Sequence, residues 1–175
     1  MEQENFENLV DRAVQKRYAA AAAEKEPALC CPVTYDGKYL DVLPQELIDR
    51  DYGCGNPAEY VGEGETVLDL GSGGGKICYI LSQVVGPEGQ VFGVDRNDEM
   101  LALARRYQTQ IADAIGWNNT HFLKGNIQDL GLDLEALDSF LNDYPVHSYP
   151  DWQRVDQWIE QQREASPMIE SDSID

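Results

Sequence analysis

Between positions 69 and 75 the chain reads Asp69-Leu70-Gly71-Ser72-Gly73-Gly74-Gly75, with four glycines in the five residues from Gly71. Glycine at this density costs chain entropy. What it provides is bare main chain that a ligand can approach where a Cβ would clash, and helix N-terminal amides aimed at a negative group such as a carboxylate. Three ligand patterns compete. The dinucleotide spacing G-x-G-x-x-G fails because the sixth residue from Gly71 is Lys76. The phosphate-loop spacing fails because Leu70 stands where its first glycine belongs and Ile77 where it needs Ser or Thr. D-x-G-x-G-x-G fits. A second acid, Asp95, follows 26 residues after Asp69 at the end of Gln90-Val91-Phe92-Gly93-Val94. At the tip of a neighbouring strand its carboxylate can accept hydrogen bonds from both hydroxyls of a ribose. It could also serve as a helix-entry residue, although Asn97 or Asp98 already suits that role. A third segment, Gly125-Asn126-Ile127-Gln128-Asp129, offers an apolar side chain for an adenine face at Ile127 and a rim partner at Asn126 or Gln128.

The cysteines are Cys30, Cys31, Cys54 and Cys78, and the histidines are His121 and His147. No C-x-x-C pair is present, so a four-ligand zinc site would need scattered residues and no metal is assigned. Cys78 falls in an apolar helical pattern and reads as packing. Cys30, Cys31 and Cys54 lie in Pro/Gly-rich sequence, where thiols have more chemical freedom.

The elements that must position these residues follow from periodicity. Thr66–Leu70 is a short, nearly continuous apolar run, the pattern of a buried parallel strand. After the glycines, Ile77, Ile80, Leu81, Val84 and Val85 form one helical face that Gly86-Pro87 ends. Gln90–Asp95 is a second strand, Met100 to Ile115 a second helix closed by Gly116, and Thr120–Lys124 a third strand. This β-α-β-α-β order predicts a parallel sheet with right-handed crossovers. Upstream, Phe6, Leu9, Val10, Ala13 and Val14 predict a helix over 5–23; 27–64 reads as irregular chain with one short helix near 44–50. Downstream, two amphipathic helices are expected over 132–142 and 151–164, with Trp152 and Trp158 as core aromatics.

Charge bounds the partners. The 175 residues hold 13 Lys and Arg against 32 Asp and Glu, a net charge of −19. Such a surface argues against nucleic-acid backbones and anionic membranes. No apolar run approaches the roughly 20 residues of a membrane span, and Met-Glu-Gln-Glu-Asn does not begin a secretory signal. A cytoplasmic protein acting on a small molecule is expected, with no oligomeric state assigned. Residues 131–175 carry eleven acids and two bases.

Val67–Gly75, Gly93–Asp95, Asn97–Leu101 and Phe122–Leu130 together resemble the S-adenosyl-L-methionine-binding half of class I methyltransferases. Tyr52-Gly53-Cys54-Gly55 and the stretch Leu81–Gly89 are similar to segments of the arsenite methyltransferase-like group. The resemblance is strong over about 50–130 and slight in the acidic tail. It implies an α/β, Rossmann-like doubly wound parallel sheet, here incomplete at about three strands, with helical N- and C-terminal extensions. It also implies S-adenosyl-L-methionine as cofactor: Asp69, Gly71, Ser72, Gly73 and Gly75 around its methionine part, Asp95 with Arg96 at its ribose, and Met100, Asn126 and Ile127 at its adenine. Where the arsenite enzymes usually carry Arg-Asp after the third glycine, this chain has Lys76-Ile77.

The same resemblance implies a methyl acceptor of trivalent arsenic, a soft centre that thiolates hold. Cys54 corresponds to one family cysteine, and Cys30 and Cys31 resemble those near the family's N-terminus; a small residue in a glycine turn and incidental loop thiols are the plainer readings. A carbon or oxygen acceptor, or a non-catalytic protein that binds the cofactor or docks a partner through its acidic helices, stays open. The expected organisation is an N-terminal helix and Pro/Gly-rich segment over 1–64, a cofactor-binding core over 65–130, and an acidic helical insertion over 131–175. Ser171–Asp175 resembles the family's lead-in to a fourth strand, so an N-terminal portion of a methyltransferase, or a truncated gene product, is expected.

Overall fold

A computed structural model of the chain describes residues 35–50 and 55–175. The predicted helix over 5–23, Cys30, Cys31 and Cys54 lie outside them.

Three parallel strands form the described sheet: β1 (Thr66–Leu70), β2 (Gln90–Asp95) and β3 (Thr120–Lys124), in the order β1-β2-β3. Before them come two short helices, α1 (Gly37–Leu40) and α2 (Gln45–Asp49), and a 3-10 turn over Pro57–Tyr60. The segment is thus more helical than its proline and glycine content predicts. Asp36 caps α1, taking the Lys38 N–H on its side chain, and α2 starts after Pro44, whose fixed φ suits a helix entry.

The crossovers are α3 (Lys76–Val85) and α4 (Asp98–Ile115). Gly86 ends α3 at φ +71, Gly116 ends α4 at φ +95, and the Asn97 side chain caps α4 by accepting the N–H groups of Glu99 and Met100. α3 packs across β1 and β2 and reaches β3, α4 packs on β3 and β2, and the two helices touch each other. Cys78, Tyr79, Ile80, Leu81, Val91, Leu103, Ala104 and Ile111 are buried between them. Tyr79 donates to the Ala104 carbonyl at 2.6 Å and sets its ring edge-on to Phe122 at 5.4 Å. Burial pushes its phenol well above the ordinary tyrosine value, so it stays a donor.

β1 is half-buried, with Leu70 exposed, where the apolar run predicts a buried strand. It is an edge of the described sheet, met on its outer side at Thr66: the Asp175 N–H donates to the Thr66 carbonyl at 3.0 Å, and the Thr66 N–H to Asp175 Oδ2 at 2.8 Å.

After β3 come α5 (Leu134–Asp143) and α6 (Tyr149–Ala165), each close to its expected span. Main-chain bonds from Met168 to Gly131 (3.3 Å) and Ile169 to Leu130 (3.0 Å) bring the two ends of this helical hairpin together. Trp158 stacks on Phe140 at 4.7 Å. Trp152 is 53% exposed and therefore not the core aromatic its spacing suggests; it lies on α6's outer face. No helix among the described residues is long and apolar enough to cross a membrane.

Candidate functional site

The parallel register places Asp69 opposite Gly93 and Asp95 opposite Lys124, so the ends of all three strands meet at one edge. Main-chain bonds tie them together there. The Gly71 and Ser72 N–H groups both donate to the Val94 carbonyl, at 2.8 and 3.1 Å, which turns the glycine segment onto the end of β2. The Gly125 N–H donates to the Asp95 carbonyl at 3.0 Å, which carries the Asn126–Asp129 turn to the same place.

Asp95 stands at the centre of this edge. Its Oδ2 accepts the Gly73 N–H at 2.8 Å and its Oδ1 accepts the Asn97 N–H at 2.8 Å. One carboxylate therefore holds the glycine turn against the entry of α4. A carboxylate has about four acceptor positions, so each oxygen retains capacity for a hydroxyl. Sequence reasoning treats ribose binding and helix entry as alternatives; the helix-entry contact is present, and the geometry leaves room for both.

The glycines divide into two kinds. Gly71 (φ +81) and Gly73 (φ +53) adopt left-handed conformations, and a Cβ on either would meet nothing within 4 Å. They border open space. Gly74 and Gly75 face inward: a Cβ at Gly75 would stand 2.8 Å from the Phe122 ring and 3.0 Å from Ala104 Cβ, and one at Gly74 3.0 Å from Leu103. The first pair leaves the turn open on one side, and the second lets α3 pack closely. The main chain is therefore bare at Gly71 and Gly73, ahead of the packed start of α3.

The remaining predicted residues are spread around the edge. Ile127 is 48% exposed beside the Asp95 tip, and Asn126 forms a tight turn through its carbonyl with the Asp129 N–H at 2.9 Å. Met100 is buried in the first turn of α4, with its N–H on Asn97. Ser72 is buried and its hydroxyl has no hydrogen-bond partner. Arg96 follows Asp95 directly on the loop into α4.

Three contacts are not legible in the sequence. Lys76, only 7% exposed, holds its ammonium 4.3 Å over the Tyr35 ring, and the Tyr35 hydroxyl donates to the Gly55 carbonyl at 2.6 Å. This brings the chain on both sides of 51–54 to the start of α3. Beneath the turn, the Cys78 thiol donates to Asp69 Oδ2 at 3.3 Å. All three depend on pairs distant in sequence or on opposite elements, and no local pattern announces them. Among the described residues no group of three or more His, Cys, Asp or Glu side chains converges to hold a metal ion.

Comparison with known proteins places this edge in context. A family model described as a methyltransferase domain matches residues 62–166. The arsenite methyltransferase of Aquipseudomonas alcaligenes is 37% identical over 132 residues, covering 73% of this chain and 36% of that relative. The arsenite methyltransferase of Halobacterium salinarum is 40% identical over 109 residues, covering 61% of this chain and 27% of the relative. A crystal structure of an arsenic(III) S-adenosylmethionine methyltransferase from Chlamydomonas reinhardtii aligns over 53% of this chain and 31% of that one, at 34% identity and a TM-score of 0.47. The chain spans about a third of the length of these curated relatives. With a family match across more than half its residues, the chain belongs to the methyltransferase-domain family.

Proposed function

We propose that this chain is the S-adenosylmethionine-binding part of a methyltransferase whose acceptor is a small soft centre, trivalent arsenic held by cysteine thiolates. The observation that carries the cofactor reading is the convergence at one sheet edge of open space beyond Gly71 and Gly73, the Asp95 carboxylate, and the exposed Ile127. In this reading the turn from Gly71 to Gly75, with Ser72 and Asp69, receives the methionine end. Asp95 accepts from the ribose hydroxyls with Arg96 beside it, and Met100, Asn126 and Ile127 border the adenine. The cofactor, when bound, supplies an electrophilic methyl group on a sulfonium. The chain's own contribution is to bind and orient it; no strong base is required, because alignment and proximity supply most of the acceleration in such a transfer.

Arsenic as acceptor is supported by the names of the relatives at 37% and 40% identity and by the softness match between trivalent arsenic and thiolates. Cys54, Cys31 and Cys30 are the thiols assigned to it. Titration calorimetry with S-adenosylmethionine tests the cofactor reading: saturable heat with one site per chain is expected, and none from a folded sample removes it. Arsenite methylation by the longest natural form of the protein tests the acceptor. Cys54→Ser should lower that turnover at least about tenfold if the thiol is one of a small set of ligands; unchanged turnover removes Cys54 from the assignment.

A partner-docking reading is favoured by one observation, the exposure of Tyr149 (73%) and Trp152 (53%) on an acidic helix. Cofactor binding without turnover in the full-length form would select it.

A further inference from the structure

The face of the sheet beneath α3 is apolar at Val67, Val91 and Phe122, yet three polar groups gather there around one glycine. A Cβ built on Gly93 would stand 2.7 Å from Cys78 Sγ and 2.9 Å from Ser72 Oγ. Asp69 faces Gly93 directly across the β1–β2 pair. Its carboxylate is half-buried at the strand end and takes the Cys78 thiol on Oδ2 at 3.3 Å. Cys78 itself is fully buried, and the neighbouring Ser72 hydroxyl, nine-tenths buried, has no partner. Plain packing would favour an aliphatic side chain at Ser72, because a buried hydroxyl without a partner costs free energy.

Resting on the cofactor reading above, we propose that Cys78 is a positioning residue: by donating to Asp69 it fixes the carboxylate that lines the methionine end of the cofactor, and Gly93 is the residue that makes room for it. Burial and the Asp69 charge hold the thiol well above its ordinary value, so it stays protonated and serves only as a donor. The role differs from packing in one respect: it acts on the amino-acid end of the ligand and not on the nucleoside.

S-adenosylhomocysteine and 5′-methylthioadenosine share the adenosyl thioether and differ in that amino-acid end. With the full chain, Cys78→Ala should weaken S-adenosylhomocysteine about three- to tenfold in calorimetry, leave 5′-methylthioadenosine within about twofold, and be rescued by Cys78→Ser, which keeps a donor. Equal losses for both ligands, or no loss for either, overturn the proposal. Should Cys78→Ala fail to fold, the S–H infrared stretch decides. The buried thiol's band in the native chain should lie below its position in Asp69→Asn, and coincident bands overturn the contact. If the native chain binds neither ligand, the cofactor reading itself fails, an outcome distinct from a lost discrimination.

Discussion

Gly73 and Gly75 are two residues apart and both have positive φ, yet they answer to different forces. At Gly73 a Cβ would enter open space, so the backbone strain of a left-handed alanine, about 1 kcal/mol, is the only cost to folding. At Gly75 the same strain adds to collision with Phe122 and Ala104. Gly75→Ala should therefore cost about 3 kcal/mol in chemical denaturation, whereas Gly73→Ala should leave the fold near native and weaken S-adenosylhomocysteine about tenfold or more. The reverse assignment of effects would show that the ligand does not lie against Gly73. Asp95 is legible as a site acid from its place at a strand tip, but its two main-chain bonds are not. They arise because β2 ends where the glycine turn passes, a neighbourhood that only the strand pairing creates.

Among the elements, α2 and α4 are joined by a network with no local signature. Glu46 on α2 accepts the Tyr107 hydroxyl from α4 and pairs with Arg106 and Arg50. The Tyr107 hydrogen bond holds the Glu46 carboxyl below its ordinary value near 4.5, and the neighbouring arginines reinforce it. A carboxyl whose folded pKa is depressed contributes stability that is complete above its unfolded value and lost as pH falls through the folded one. Tyr107→Phe should lower the melting midpoint by a few degrees at pH 7, and the gap to the native protein should narrow below pH 4.5. A gap independent of pH would mean that the ring, not the hydroxyl, ties the helices. The spans of α3 and α4 themselves are readable from their caps, Gly86, Asn97 and Gly116.

At the scale of the molecule, the acidic hairpin of α5 and α6 is held on the core by core-side and hairpin cations. Arg105 reaches Glu135 at 2.6 Å, Lys124 reaches Asp138 at 2.8 Å, and Arg163 of the hairpin returns to Asp129 at 2.7 Å. Since the main chain at 130–131 pairs with that at 168–169, the hairpin is an excursion whose ends already meet. Replacing 133–166 by a short Gly-Ser turn should lower the melting midpoint, because Val155 is buried, but leave S-adenosylhomocysteine affinity within about twofold. A larger loss would make the hairpin part of the site. Its two tryptophans show why aromatics at helical spacing are a poor guide to burial: Trp158 stacks on Phe140 of α5, whereas Trp152, on the same helix, stays 53% exposed.

Local rules were sufficient for the strands, the crossover helices and the glycine turn, because hydrophobic period, cap residues and glycine density act within a few residues of one another. They also marked Asp69, Asp95 and the Gly125–Asp129 turn as one candidate site. Tertiary structure alone decided how those segments bond to each other, which glycines face open space, that Cys78 donates to Asp69 across the β1–α3 layer, and that Trp152 stays outside. Each of these depends on which element lies beside which, and a pairing between residues far apart in the chain leaves no trace in the neighbours of either.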